Sequence, residues 1–140
     1  YSLTEMVRML SPKMNDGATI MALTYYGSTR YMQSYNVMGV AKAALETSIK
    51  YLAVDMGDRG IRVNAISAGP MRTLAGAVIN KSRQIYNYTI DNSPIKKPLS
   101  LEDIGKSSVY LMSDLSKGVT GEILYVDNGY NNVGMSIQDL

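Results

Sequence analysis

The sequence predicts an α/β fold, a doubly wound and mostly parallel sheet with helices on both faces. Three observations carry this. Short apolar runs suited to buried strands recur along the chain; stretches of crossover-helix length separate them; and 46% hydrophobic with 19% charged residues over 140 positions is ordinary globular composition.

Residues 2–14 read as a helix, opened by Ser2 and Glu5 at capping-box spacing and closed near Asn15-Asp16-Gly17. Ala18 to Thr24 is a short apolar run for a first strand. Asn36 to Met56 reads as a long helix ending at Gly57 and Gly60, and Ile61 to Ser67 as a second strand. The turn Ala68-Gly69-Pro70 follows, with a new segment opening at Thr73. From about 76 to 98 the chain is polar, rich in Asn and Tyr, and has the least regular pattern. Ser100 and Asp103 open another helix at capping-box spacing, and Glu122 to Val126 is a last strand before Asp127-Asn128-Gly129. Ligands of parallel sheets sit beyond the carboxyl ends of the strands, so Thr24-Tyr25, Ala68-Gly69-Pro70 and Asp127-Asn128-Gly129 are expected on one rim. Three strands leave an exposed edge, and the chain starts at Tyr1 in helical pattern. The expectation is the C-terminal portion of a single domain, with nucleotide-binding strands upstream.

Composition excludes several chemistries. With no His and no Cys, the chain cannot supply a His-based triad, a thiolate nucleophile or a typical zinc site, and no metal is expected. A net charge of +2 argues against nucleic acid as a partner. No apolar window reaches membrane-spanning length. Absence of Cys fits a reducing compartment, which agrees with a cytoplasmic location.

Tyr, Lys and carboxylates remain as acid–base groups. Among 11 tyrosines, position must decide. Tyr25, Tyr35 and Lys42 stand out, spaced by ten and seven residues. Seven residues is nearly two helical turns, so Tyr35 and Lys42 are expected on one face at roughly 10 Å separation, with room for a cofactor between them. On residue type alone, a tyrosine at a strand end is more often amphipathic packing, and a helical lysine a solvated face.

The segments LTYYG, YNVMGVAKAALE, IRVNAISAGPMRTLA, SDLSKGVTGE and YVDNGYN resemble the C-terminal half of the enoyl-acyl-carrier-protein reductases of bacterial fatty-acid synthesis, a divergent branch of the short-chain dehydrogenase/reductases. The likeness runs over nearly the whole chain. General members of that superfamily place Lys four positions after the catalytic Tyr. Here that position is Gly39 and Lys stands at 42, the spacing of the enoyl reductase branch.

The resemblance implies a Rossmann-like fold and an NADH-dependent reduction of the trans-2 double bond of enoyl thioesters, in which negative charge develops on the thioester oxygen. By the same resemblance Tyr35 donates a hydrogen bond to that oxygen, Tyr25 is the second tyrosine of the substrate pocket, and Lys42 binds the nicotinamide ribose. Thr24, Gly69, Pro70, Met71, Thr73 and Ala75 fall at cofactor-binding positions, with the Met71 backbone at the carboxamide and Thr73 at the pyrophosphate. Leu74 to about Asn87 matches the substrate-binding loop, and Met38, Ala75 and Ile79 line an acyl pocket. The implied partners are an acyl carrier protein bearing the substrate and further copies of the chain in a homotetramer built through helices like 36–56 and the C-terminal strand region. Lys81, Arg83, Lys96 and Lys97 are candidates for a basic patch facing the acidic carrier, against the commoner reading of a solvated surface.

Two departures stand out. Asp127-Asn128-Gly129 replaces the usual Asp-Gly-Gly; Asn tolerates left-handed backbone, so the turn is expected to survive. Phe is absent, which puts acyl-chain preference in question. Gly105-Lys106-Ser107 mimics the end of a phosphate-binding loop but is expected inside a helix. Two alternatives stay open: a short-chain dehydrogenase acting on a ketone or alcohol, and a non-catalytic fragment.

Overall fold

The computed structural model describes residues 1–73 and 82–135. Three strands, β1 (Thr19–Thr24), β2 (Arg62–Ala68) and β3 (Ile123–Val126), form one parallel sheet in the order β1-β2-β3. Helices α1 (Ser2–Leu10), α2 (Val37–Asp55), α3 (Ser82–Asn92) and α4 (Leu101–Met112) complete the described chain. The predicted parallel α/β architecture is therefore present.

Alternation along β2 divides the core between the two faces. Val63 and Ala65 point to one side and pack with Val7 of α1 and with Ile49 and Ala53 of α2. Ile66 points to the other and packs with Ile104 and Leu111 of α4. Full burial of each of the Val, Ile and Leu side chains contributes about 1.5–3 kcal/mol. Both crossovers step the sheet in the same direction while α2 and α4 lie on opposite faces, so the two crossovers differ in hand and one is of the uncommon left-handed kind. Buried Asn64 secures the return to β3: its amide donates to the Val119 carbonyl at 2.9 Å and its side-chain oxygen accepts from Glu122 N–H at 3.0 Å.

Three sequence expectations are corrected. The capping box at α1 does not form, because Ser2 is already helical after Tyr1 and the Glu5 carboxylate turns to Arg8 at 2.6 Å. At α4 the Ser100/Asp103 box forms reciprocally, with Ser100 N–H to Asp103 at 2.9 Å and Asp103 N–H to Ser100 Oγ at 3.1 Å. The stretch expected to be irregular contains α3. The helix buries Thr89, and Ser93 is buried directly after its last residue; their hydroxyls donate to the carbonyls four residues back, Ile85 and Thr89, so the buried side of this segment carries polar letters. Thirdly, Tyr35 lies outside the helix that carries Lys42.

Candidate active site

The register pairs Thr24 with Ser67 and Ala68 with Val126, so the three predicted strand ends share one rim. Behind β1, a single 3-10 turn (Tyr26–Ser28) packs against the start of α2. The packing depends on two missing side chains. A Cβ on Gly27 would sit 2.6 and 2.8 Å from Tyr35 ring carbons, and one on Gly39 would sit 2.8 Å from the Gly27 carbonyl oxygen. A lysine at position 39 is therefore sterically barred, which gives a physical reason for the wide Tyr–Lys spacing.

Tyr35 is delivered by strained backbone rather than by the helix. Ser34 and Asn36 on either side have φ of 66° and 44°, and Tyr35 N–H bonds the Met32 carbonyl at 3.1 Å. Such conformations cost on the order of 1–3 kcal/mol each and persist only where surroundings enforce them. The result is an edge-to-face contact of the Tyr25 and Tyr35 rings, centroids 5.1 Å apart. Tyr26 makes a similar contact with Tyr130 at 5.7 Å. Burial pushes the Tyr25 phenol well above its ordinary range, reinforced by the neighbouring hydroxyls of Tyr130, Tyr35 and Tyr26; burial also raises Tyr35. Both are protonated donors at neutral pH.

Lys42 leaves α2 toward the same strand end. Its Nζ donates to the Leu23 carbonyl at 2.8 Å. Lys42 thus lands on Leu23 and Tyr35 on Tyr25, two residues apart, which along extended chain is about 7 Å. Thr24, between them, is buried, and its hydroxyl donates to Glu46 Oε1 at 2.6 Å.

After β2, Gly69 N–H bonds the Val126 carbonyl at 2.9 Å, and a Cβ there would press on Asp127 at 3.0 Å, so glycine lets the second and third strand ends touch. Met71 packs its side chain against the α4-side core, while Thr73 is exposed. The Arg72 guanidinium stacks over the Tyr86 ring of α3 at 5.0 Å from its centroid. A cavity of about 380 Å³ lies between Met32, Gln33, Ser34, α3 and Tyr130. Met38 stands in the first turn of α2, half-exposed and outside that lining. Ala75 and Ile79, with Lys81 of the basic group, fall outside the described residues.

Sequence reasoning missed Gly27 and Glu46. The first was legible as a small residue directly after two tyrosines. The second was a lone acid in an apolar helical run, four positions beyond Lys42.

A family model described as enoyl-(acyl carrier protein) reductase matches residues 1–131. The chain is 57% identical over 135 residues to enoyl-[acyl-carrier-protein] reductase [NADH] 2 of Rhizobium meliloti (strain 1021), covering 96% of this chain and 50% of that protein. It is 54% identical to the reductase FabI of Rickettsia typhi (strain ATCC VR-144 / Wilmington), covering 97% and 52%. Among solved structures, FabI from Candidatus Liberibacter asiaticus matches at 57% identity and a TM-score of 0.91, covering 96% of this chain and 52% of that one. A reductase from Anaplasma phagocytophilum in complex with NAD matches at 50% and 0.92, covering 97% and 52%. The chain spans about half the length of the curated relatives it matches.

Proposed function

Since the chain belongs to the enoyl-(acyl carrier protein) reductase family, we propose that the protein containing it reduces the trans-2 double bond of enoyl thioesters carried on an acyl carrier protein, using NADH. The observation that carries this reading is the convergence of two up-shifted phenols and one ammonium on the end of β1. When bound, NADH supplies the hydride. Tyr35 donates its hydroxyl hydrogen bond to the thioester oxygen as charge develops there, and Tyr25, at ring contact, shapes the same pocket. Lys42 holds the ribose hydroxyls, with two of its three N–H groups available beside the one spent on Leu23. Thr24, Gly69, Pro70, the Met71 backbone, Thr73 and Ala75 complete the cofactor side; Met38, Ala75 and Ile79 belong to the acyl side. Gly69 gives up its side chain to the contact with Asp127, so its place on the cofactor side is supported by the resemblance and by its position at the end of β2.

The rest of the reading follows from the surface. Val40, Tyr51 and Val54 of α2 are exposed along one helix face, which supports assembly with further copies, in the homotetramer the resemblance implies. Arg83, Lys96 and Lys97 are exposed, as docking of an acidic carrier requires. Among the described residues no helix is long and apolar enough to cross a membrane, and the working location is the cytoplasm.

The test is NADH oxidation dependent on a crotonyl thioester in the full-length protein. Tyr35→Phe and Lys42→Ala should each lower kcat/KM by about a hundredfold or more. Wild-type rates in both would end the assignment. A ketone turned over faster than the enoyl thioester would favour a carbonyl reductase instead.

A further inference from the structure

Among the described residues two carboxylates are buried, Asp127 and Glu46. Asp127 accepts from Gly129 N–H, Asn131 N–H and the Asn131 amide, so its burial is accounted for. Glu46 is 8% exposed, and the hydrogen bond it makes is from the Thr24 hydroxyl at 2.6 Å. A carboxylate there is a poor way to pack a helix on a sheet, since its burial carries a desolvation cost that an aliphatic side chain does not.

Its neighbours point to a use. Glu46 and Lys42 are four residues apart and share one face of α2. They engage consecutive residues of β1: Lys42 Nζ the Leu23 carbonyl at 2.8 Å, Glu46 the Thr24 hydroxyl. Together they make a two-point clamp between the active helix and the strand end. Ser67, the register partner of Thr24, presents a hydroxyl on the same face of the sheet; it is 1% exposed and its Oγ has no hydrogen-bond partner. Thr24 has one proton to give, and it goes to Glu46 rather than sideways to Ser67.

We propose that Glu46 is a positioning residue for reductant binding: acting through Thr24, it fixes the carboxyl end of β1 against α2, so that Lys42 rests on the Leu23 carbonyl with its remaining N–H groups turned to the sugar hydroxyls. This rests on the role of Lys42 proposed above.

The experiment uses full-length protein and the variants Glu46→Gln, Glu46→Leu, Thr24→Val and Glu46→Leu/Thr24→Val. NADH affinity is read by fluorescence titration without enoyl substrate, and KM for NADH and kcat separately with it. Glutamine keeps an acceptor oxygen for Thr24; leucine does not. Glu46→Leu and Thr24→Val should each weaken NADH binding about tenfold and raise its KM in step, with kcat changed less. The double variant should be no worse than either single, and Glu46→Gln should stay within about threefold of wild type. Wild-type affinity in Glu46→Leu, equal loss in Gln and Leu, or additive losses would each overturn the proposal. Should Glu46→Leu not fold, Glu46→Ala, which removes the acceptor without adding bulk, takes its place: about tenfold weaker NADH binding supports the proposal and wild-type affinity overturns it. Wild-type protein that binds NADH without reducing an enoyl thioester would remove the reaction assignment and leave the positioning result intact; wild-type protein that does not bind NADH overturns both.

Discussion

The turns that follow β1 and β3 sit on the same rim, and each closes backbone hydrogen bonds of its own, Ser28 N–H to the Tyr25 carbonyl at 2.9 Å and Tyr130 N–H to the Asp127 carbonyl at 3.2 Å; they differ in what mainly fixes them to the rest of the chain. The first is held by contact: Tyr35 lies on Gly27, the Gly27 carbonyl lies on Gly39, and Tyr25 meets Tyr35 edge to face. The second is held by hydrogen bonds. Asp127 accepts three, and Asn128 gives its amide to the Lys97 carbonyl at 2.7 Å and takes Ile95 N–H on its own carbonyl at 3.2 Å. The difference has a chemical reason. A turn fixed by shape keeps its polar tips for a ligand, whereas a turn fixed by polar atoms spends them and becomes frame. The two should also fail in opposite ways, the contact-held turn by gaining an atom and the bonded turn by losing one.

Gly27→Ala is the sharpest way to break this contrast. The new methyl would lie 2.6 and 2.8 Å from Tyr35 ring carbons, so the ring must leave its place. The expected result in the full-length protein is a loss of kcat of about a hundredfold in the proposed reaction, with about 1–3 kcal/mol of overpacking cost in a denaturant titration. Wild-type kcat would mean that Tyr35 does not work from the position described.

Asp127→Ala attacks the other turn. It strands three donors in a site where the carboxylate is buried, at an expected cost of about 2–3 kcal/mol in unfolding free energy. Because those atoms are frame, kcat measured well below the melting temperature should fall less than in Gly27→Ala. A variant with unaltered stability and abolished turnover would reverse the assignment of roles.

The same contrast explains what was legible in the sequence. Frame is written in local patterns: the apolar runs gave three strands to within a residue or two, the Ser100/Asp103 spacing gave the cap of α4, and Asn128, at φ 59°, holds the left-handed turn expected of it. Shape-held parts depend on partners distant in the chain. Nothing local to Tyr35 announces that Asn36 breaks the helix before it, so the expected single face shared with Lys42 gave way to a meeting at Leu23 and Tyr25. The box at Ser2/Glu5 failed for a related reason, since Arg8 outcompetes a backbone N–H for the carboxylate. Helix α3 was hidden because the buried positions in it and just after it, Thr89 and Ser93, are hydroxyls bonded to their own backbone.

Alkaline titration separates the phenols from the frame by charge. Tyr25 is raised by burial first and then by Tyr130, Tyr35 and Tyr26. An unfolded phenol ionises near pH 10. A folded value above the unfolded one means that the unfolded chain loses its proton first, so this contribution to stability is complete below about pH 10 and is lost as pH rises beyond it. Denaturant midpoints of the full-length protein should decline above that pH, and Tyr25→Phe should flatten the decline. An unchanged slope in Tyr25→Phe would mean that the phenol is open to water.

The smallest effect belongs to Asn128, where the chain departs from the usual glycine of its family. Alanine at φ 59° pays the left-handed penalty of about 1–2 kcal/mol and also loses the bond to the Lys97 carbonyl. Glycine loses the same bond but enters the conformation without strain, so the two terms offset. Asn128→Ala should therefore lower unfolding free energy by about 1–2 kcal/mol, and Asn128→Gly by no more than about 0.5 kcal/mol. Equal losses in both would show that the amide bond alone holds the segment from Ile95 to Lys97 against the turn, and that the left-handed conformation costs alanine no more than glycine there.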